Sequence, residues 1–192
     1  NLAQMCKLGL SIPPGFTISS ELSTKYGSKL HLTERFLKEL HQYINRLEQE
    51  VGKKFGGNAN PLLISVRSGA KVSMPGMMDT ILNLGMNDEV AEALAKSTSN
   101  PKFAYDSYRR FLEMFATVVF EVSSYHFEEI LGNHKDSHNI SKDSDLTEED
   151  LKEIIIEYKA VIKKYTGKDF ESDPIEQLKC AIDAVLKSWM SP

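Results

Sequence analysis

From residue 33 onward, apolar side chains recur every three or four positions. Between residues 61 and 85 short continuous runs interrupt that spacing. The spacing predicts a helix opened by Leu32-Thr33, with Thr33 as cap and Leu32 stapled onto Leu37. Its stripe runs through Phe36, Leu37, Leu40, Tyr43, Ile44, Leu47 and Val51 to a stop at Gly52. Asn87 caps a short helix whose first turn carries Asp88 and Glu89, which suits the positive end of the helix dipole. Asn100-Pro101 opens a longer helix with Tyr108, Phe111, Leu112, Phe115, Val118, Val119 and Val122 on one face. Ser123 to Leu131 reads as a further helix after a break, and the polar stretch Gly132 to Asp145 as a loop. Thr147 and Asp150 make a capping box ahead of the stripe Leu151, Ile154, Ile155, Tyr158, Ile162 and Tyr165, which Gly167 ends. Asp173-Pro174 starts the last helix, with Leu178, Ile182, Val185, Leu186 and Trp189 on one face. At the N-terminus, Leu2 to Leu10 reads as the tail of a helix, Pro13-Pro14-Gly15 as a rigid connector and Phe16-Thr17-Ile18 as a short strand.

The interruption carries the chemistry. PLLISVRSGAKVSMPGMMDTILNLG, residues 61 to 85, opens on a near-continuous apolar run, Leu62 to Val66, that reads as a buried strand. Arg67 stands at its C-terminal end and is followed by a loop holding Ser68, Gly69, Lys71, Ser73, Pro75 and Gly76. Asp79 and Thr80 then lead into a second apolar run, Ile81 to Leu84, closed by Gly85. A strand that delivers arginine into a Gly/Ser loop suits a phosphate. Glycine lets backbone N–H groups approach an oxyanion, and the guanidinium fork matches two phosphate oxygens. The same pattern also fits an arginine paired with a carboxylate beside a plain tight connection.

SVRSGAKVSMPGMMDTILNLG resembles the signature of the nucleotide-binding domain of the pyruvate phosphate dikinase family. NLAQMCKLGLSIPPGFTI (Asn1 to Ile18) is similar to the start of that domain, and NPKFAYDSYRRFLEMF (Asn100 to Phe115) to its following helix. The resemblance covers essentially the whole chain and is weakest from Leu131 to Asp145. It implies an α+β fold: a partial ATP-grasp domain with a small α/β layer, residues 1–99, that bears the phosphate loop, followed by a mainly helical subdomain, residues 100–192. It implies interconversion of ATP, phosphate and pyruvate with AMP, pyrophosphate and phosphoenolpyruvate, through a phosphohistidine on a separate carrier domain. In that reading Arg67, Ser68, Gly76, Thr80 and Arg110 bind ATP and its phosphates, with the loop from Lys71 to Thr80 closing over the triphosphate.

Met74, Met77 and Met78 would shape an apolar wall or pack in the core. Asp79 would cap a helix or meet a metal. Arg109 and Arg110 are adjacent, so they point about 100° apart, and the resemblance favours Arg110 for the site. A Gly-Gly-Lys-Gly segment that precedes this domain in the family is not in the sequence. Magnesium is expected as a cofactor with its carboxylate ligands later in a longer parent, which the resemblance makes a cytoplasmic homodimer. On its own, an excised fragment of this kind is expected to be inactive. A phosphoenolpyruvate synthase-type enzyme is the alternative, although Arg67-Ser68-Gly69-Ala70 and Met74 to Met78 fit the dikinase pattern better. A nucleotide-binding module without chemistry is the other.

Composition narrows the partners. The 192 residues are 41% apolar and 26% charged, with a net charge of −4, as in an ordinary globular protein. Basic residues come as pairs such as Lys53-Lys54, so nucleic acid is not expected, and no apolar run approaches a membrane span. Cys6 and Cys180 lie far apart among apolar neighbours and read as buried free thiols of a reducing compartment. His134 and His138 have the spacing of a helical metal pair. The segment around them is a poor helix former, no cysteine or glutamate completes a set, and the expected metal ligands are none. None of the five histidines stands in a motif like that of the carrier histidine.

Overall fold

The computed structural model describes residues 2–19, 33–68 and 80–188. Leu32, residues 69–79 (with Lys71, Met74, Gly76, Met77, Met78 and Asp79), Trp189 and the Cys6 side chain lie outside the described part, and so do the expectations that fall on them. Two compact units divide the chain, Asn1–Lys53 and Lys54–Pro192.

The first unit contains α1 (Leu2–Lys7) and α2 (Glu34–Val51). The Thr33 hydroxyl accepts from Phe36 N–H, and Gly52 ends α2 in the left-handed region, as the residue types require. Leu40, Ile44 and Leu47 are buried, whereas Tyr43 is exposed and lies 5.3 Å from Phe16, ring centre to ring centre. Phe16-Thr17-Ile18 is not a strand: the segment has no ladder partner among the described residues. Three apolar and β-branched residues supply propensity, but a strand also needs a neighbour to bond to.

The second unit begins with β1 (Lys54–Phe55), β2 (Pro61–Leu62), β3 (Ile64–Val66) and β4 (Ile81–Leu84). The single buried strand expected from Leu62 to Val66 is two. Pro61–Leu62 pairs in parallel with β1, and Ile64–Val66 pairs antiparallel with β4, so Leu63 carries the chain from one small sheet to the other. β3 is also only partly covered, with Ser65 exposed. Ladder pairing, invisible in one apolar run, decided this. β4 contains a bulge: Ile64 faces Leu84 and Val66 faces Ile81, which leaves one extra residue on β4. Asn83 takes it up at φ 59, a conformation asparagine tolerates. The extra residue resets the in–out alternation, so Ile81 and Leu84 are both buried although they are three apart.

The helices follow: α3 (Asp88–Thr98), α4 (Pro101–Val119), α5 (Tyr125–Ser137), α6 (Glu148–Thr166) and α7 (Pro174–Ser188). Asn87 and Asn100 cap α3 and α4 through their side-chain oxygens, and Thr147 and Asp150 close the capping box of α6. Central α4 packs against α3, α6, α7 and β4. Its Phe111, Leu112, Phe115 and Ala116 are all but fully buried. Phe170 sits edge-on to both Phe111 and Phe115, at 5.9 and 5.7 Å, a favourable quadrupole arrangement. Tyr165, expected in the buried stripe of α6, is exposed and stacks on His126 at 4.5 Å. Cys180 is a free thiol, half-buried rather than buried, and burial pushes its pKa up.

The stretch expected as a loop from Gly132 is helical as far as Ser137. It ends in a motif that needs no glycine. Asn139 lies at φ 56, Ile140 N–H donates to Lys135 O at 2.8 Å and Asn139 N–H to Asp136 O at 3.4 Å, the paired bonds of a Schellman turn. Burial of His134 holds this polar last turn in place. The mixture of helices and two small sheets is an α+β architecture.

Candidate phosphate-binding site

Arg67 and Thr80 stand on either side of the stretch that the sequence reads as a loop, of which residues 69–79 lie outside the described part. Each is the direct neighbour of a residue in the cross-strand pair Val66–Ile81, and such a pair lies about 5 Å apart. Both therefore leave the β3–β4 sheet at the same end, with Ser68 next to Arg67. Arg67 is exposed, and no described residue forms an ion pair with it; Ser68 and Thr80 are half-buried. Gly76 lies outside the described residues.

The two adjacent arginines of α4 point apart, as their spacing requires. The Arg109 side chain is 4% exposed and donates to Asp106 Oδ1 through Nε at 3.2 Å and Nη2 at 2.9 Å, with Glu113 3.6 Å away. Burial alone would lower the Arg109 pKa, but Tyr158 and Asp106 raise it, so the guanidinium stays charged. Burial pushes the Tyr158 phenol up to about 12. Burial likewise raises the Glu113 carboxyl against the pull of Arg109. Arg109 is thus committed inside the helical unit.

Arg110 is 62% exposed in its side chain and meets Asp106 Oδ2 at 2.8 Å. Asp106, Arg110 and Met114 form one i, i+4 row on α4. The end of that row touches β4, where Leu82 N–H donates to Met114 Sδ at 3.2 Å. Arg110 therefore stands one helical turn, about 6 Å along the axis, from the α4–β4 contact. Arg67, Ser68 and Thr80 are brought to one sheet end. Arg110 stands on the helix row that borders the same sheet, with no described contact to the other three.

Sequence reasoning missed two supports. Asp106 ties Arg110 in place, and its i, i+4 spacing was legible. Gln177 was not. It is fully buried on the apolar face of α7, with Oε1 accepting from Gly85 N–H at 2.9 Å and Nε2 donating to Met86 O at 2.9 Å and Glu171 O at 2.8 Å. It pins the turn that ends β4. Gly85 lies there at φ +98, and a Cβ on it would stand 2.7 Å from Phe55 Cε2, so only glycine fits.

Residues 28–192 match the family model described as pyruvate phosphate dikinase, AMP/ATP-binding domain. The chain belongs to the pyruvate phosphate dikinase AMP/ATP-binding domain family. It is 50% identical to the pyruvate, phosphate dikinase of Clostridium symbiosum over 194 residues, all of this chain and 22% of that protein. It is 54% identical to the one from Rickettsia typhi over 190 residues, 98% of this chain and 22% of the relative. It is 49% identical to the chloroplastic pyruvate, phosphate dikinase 1 of Zea mays over 193 residues, all of this chain and 20% of the relative. The chain thus spans about a fifth of the length of these relatives. Among the described residues no helix is long and apolar enough to cross a membrane. Magnesium prefers all-oxygen ligands. Among the described residues of this AMP/ATP-binding domain, the one group of three that could hold a metal is His134, His138 and Asp150, rich in nitrogen. It does not fit magnesium.

Proposed function

We propose that this chain supplies the nucleotide-binding part of a pyruvate phosphate dikinase, with Arg67, Ser68, Gly76, Thr80 and Arg110 contacting ATP and its phosphates. The observation that carries the reading is the common exit of Arg67 and Thr80 from the β3–β4 sheet, beside a helix row that bears Arg110. Phosphoryl transfer asks a protein mainly for positioning and charge cancellation. An exposed guanidinium at the mouth of a Gly/Ser loop supplies both. The two small sheets then belong to an ATP-grasp fold. The division at residues 99 and 100 is one of labour, a phosphate-loop part followed by a helical part.

The whole enzyme would interconvert ATP, phosphate and pyruvate with AMP, pyrophosphate and phosphoenolpyruvate. A carrier histidine on another domain would take the phosphoryl group, and the magnesium ligands would lie outside this chain. A cytoplasmic homodimer belongs to the same proposal.

The test is Arg67→Lys against Arg67→Ala in a full-length enzyme carrying this sequence. Lysine keeps the charge but not the fork. Both variants should lose about a hundredfold in the ATP half-reaction, about 3 kcal/mol, and keep pyruvate–phosphoenolpyruvate exchange. Near-normal ATP-side activity in Arg67→Lys rejects the forked contact. Loss of both half-reactions together with a fall in melting temperature makes Arg67 structural.

A further inference from the structure

His134 and His138 lie one turn apart on α5, and their rings stack at 4.3 Å with 19° between planes. Asp150, in the first turn of α6, reaches the same point. One donor atom from each of the three residues lies within 4.8 Å of the others. We propose that His134, His138 and Asp150 form a binding site for a divalent transition-metal ion of zinc's type, which clips the last turn of α5 to the first turn of α6.

Three features fit that use. His138 Nδ1–H donates to His134 O at 2.9 Å, which sets the tautomer that leaves Nε2 with its lone pair. Such a bond from the second ring nitrogen to a carbonyl is the usual support of a metal-bound imidazole. Asp150 Oδ2 is held by Thr147 N–H at 2.8 Å and the Thr147 hydroxyl at 2.7 Å, which orients Oδ1 toward His134. Position also helps: His134 is buried, Asp150 half-covered and His138 exposed, so the site has a rigid floor and an open side through which an ion can enter. The first-turn carboxylates Glu148 and Glu149 offset the positive end of α6.

Without metal, His134 Nε2–H donates to Asp150 Oδ1 at 2.9 Å. Metal binding moves that proton to Nδ1 of the same ring, with no net proton lost, and the ion takes its place between nitrogen and oxygen. Bonds of about 2.0–2.2 Å in a tetrahedral site separate ligand atoms by about 3.4 Å. His138, on the surface, must close from at most 4.8 Å, a movement of up to about 1.4 Å for tetrahedral spacing, and water completes the fourth position.

The test titrates zinc chloride into the chelator-stripped chain and into His138→Ala, a change at an exposed position whose melting temperature without zinc is compared with the native chain's to check that the fold is kept. The native chain should bind one zinc with a dissociation constant near or below about 10 μM and melt at a higher temperature with zinc. His138→Ala should bind at least tenfold more weakly. Zinc should move the imidazole resonances of His134 and His138 and leave those of His41 and His126 in place. Absence of saturable binding below about 100 μM, equal binding by His138→Ala, or shifts confined to other histidines each overturns the site. None of these outcomes depends on the dikinase reading.

Discussion

Gln177 shows how one side chain can hold a turn. Its amide spends both ends on backbone: Gly85 N–H on one side, Met86 O and Glu171 O on the other. It is fully buried, so removing the amide strands Gly85 N–H and Met86 O, while the half-buried Glu171 O loses its donor. Gln177→Leu keeps the volume and should cost about 3 kcal/mol of unfolding free energy, since each buried orphan costs about 1–3 kcal/mol. Gln177→Glu keeps the acceptor for Gly85 and loses the two donations. Urea unfolding of both variants measures this, and a loss under about 1 kcal/mol for Gln177→Leu would mean that the turn relaxes and re-bonds without it. Arg109 and Arg110 show the residue scale from the other side. Neighbours in sequence, they differ in fate because α4 turns one toward Asp106, Glu113 and Tyr158 and the other toward solvent.

At the scale of elements, capping chemistry set the helix starts. The α6 box is the clearest case, and it is tied to charge. The Thr147 hydroxyl first, then His134 and the Thr147 N–H, hold the Asp150 carboxyl well below the usual carboxylate range. A folded pKa below the unfolded value of about 3.9 means stability that is present above that value and lost as pH falls through the folded one. The stability difference between the native chain and Asp150→Ala, measured in chelator by urea unfolding, should therefore be widest near neutrality and shrink below about pH 4. An equal difference at pH 7 and pH 3 would show that the ionised form is not what stabilises the box.

At the scale of the whole molecule, the chain spans about a fifth of relatives that share about half its residues. Each sheet has two strands among the described residues. The corner proposed for phosphate, on sheets of this size, would give a nucleotide few surfaces to close on. ATP with magnesium should bind the 192-residue chain more weakly than about 10 μM by calorimetry. On the proposed mechanism it should yield no AMP, with or without pyruvate and phosphate, since none of its five histidines stands in a motif like that of the carrier histidine. Low-micromolar binding, about −8 kcal/mol, would mean a more complete cleft. AMP formation dependent on pyruvate and phosphate would overturn the assignment of the chain to nucleotide binding alone.

The sequence by itself determined the helix starts at Thr33, Asn87, Asn100, Thr147 and Asp173 and the stops at Gly52 and Gly167. These depend on local hydrogen bonds and on φ, both set within a few residues. It also determined the family, because the long stretch around Arg67 is distinctive residue by residue. Tertiary structure decided what depends on distant partners. The apolar run from Leu62 split into two strands because β1 and β4 each claimed part of it. The polar turn after Gly132 stayed helical because His134 found a buried place against Asp150, 16 residues on. Gln177 entered an apolar face because the turn at Gly85, 92 residues away, needed an acceptor. A chain's local pattern records its own backbone's needs, and those of its neighbours in space become visible only when the chain is folded.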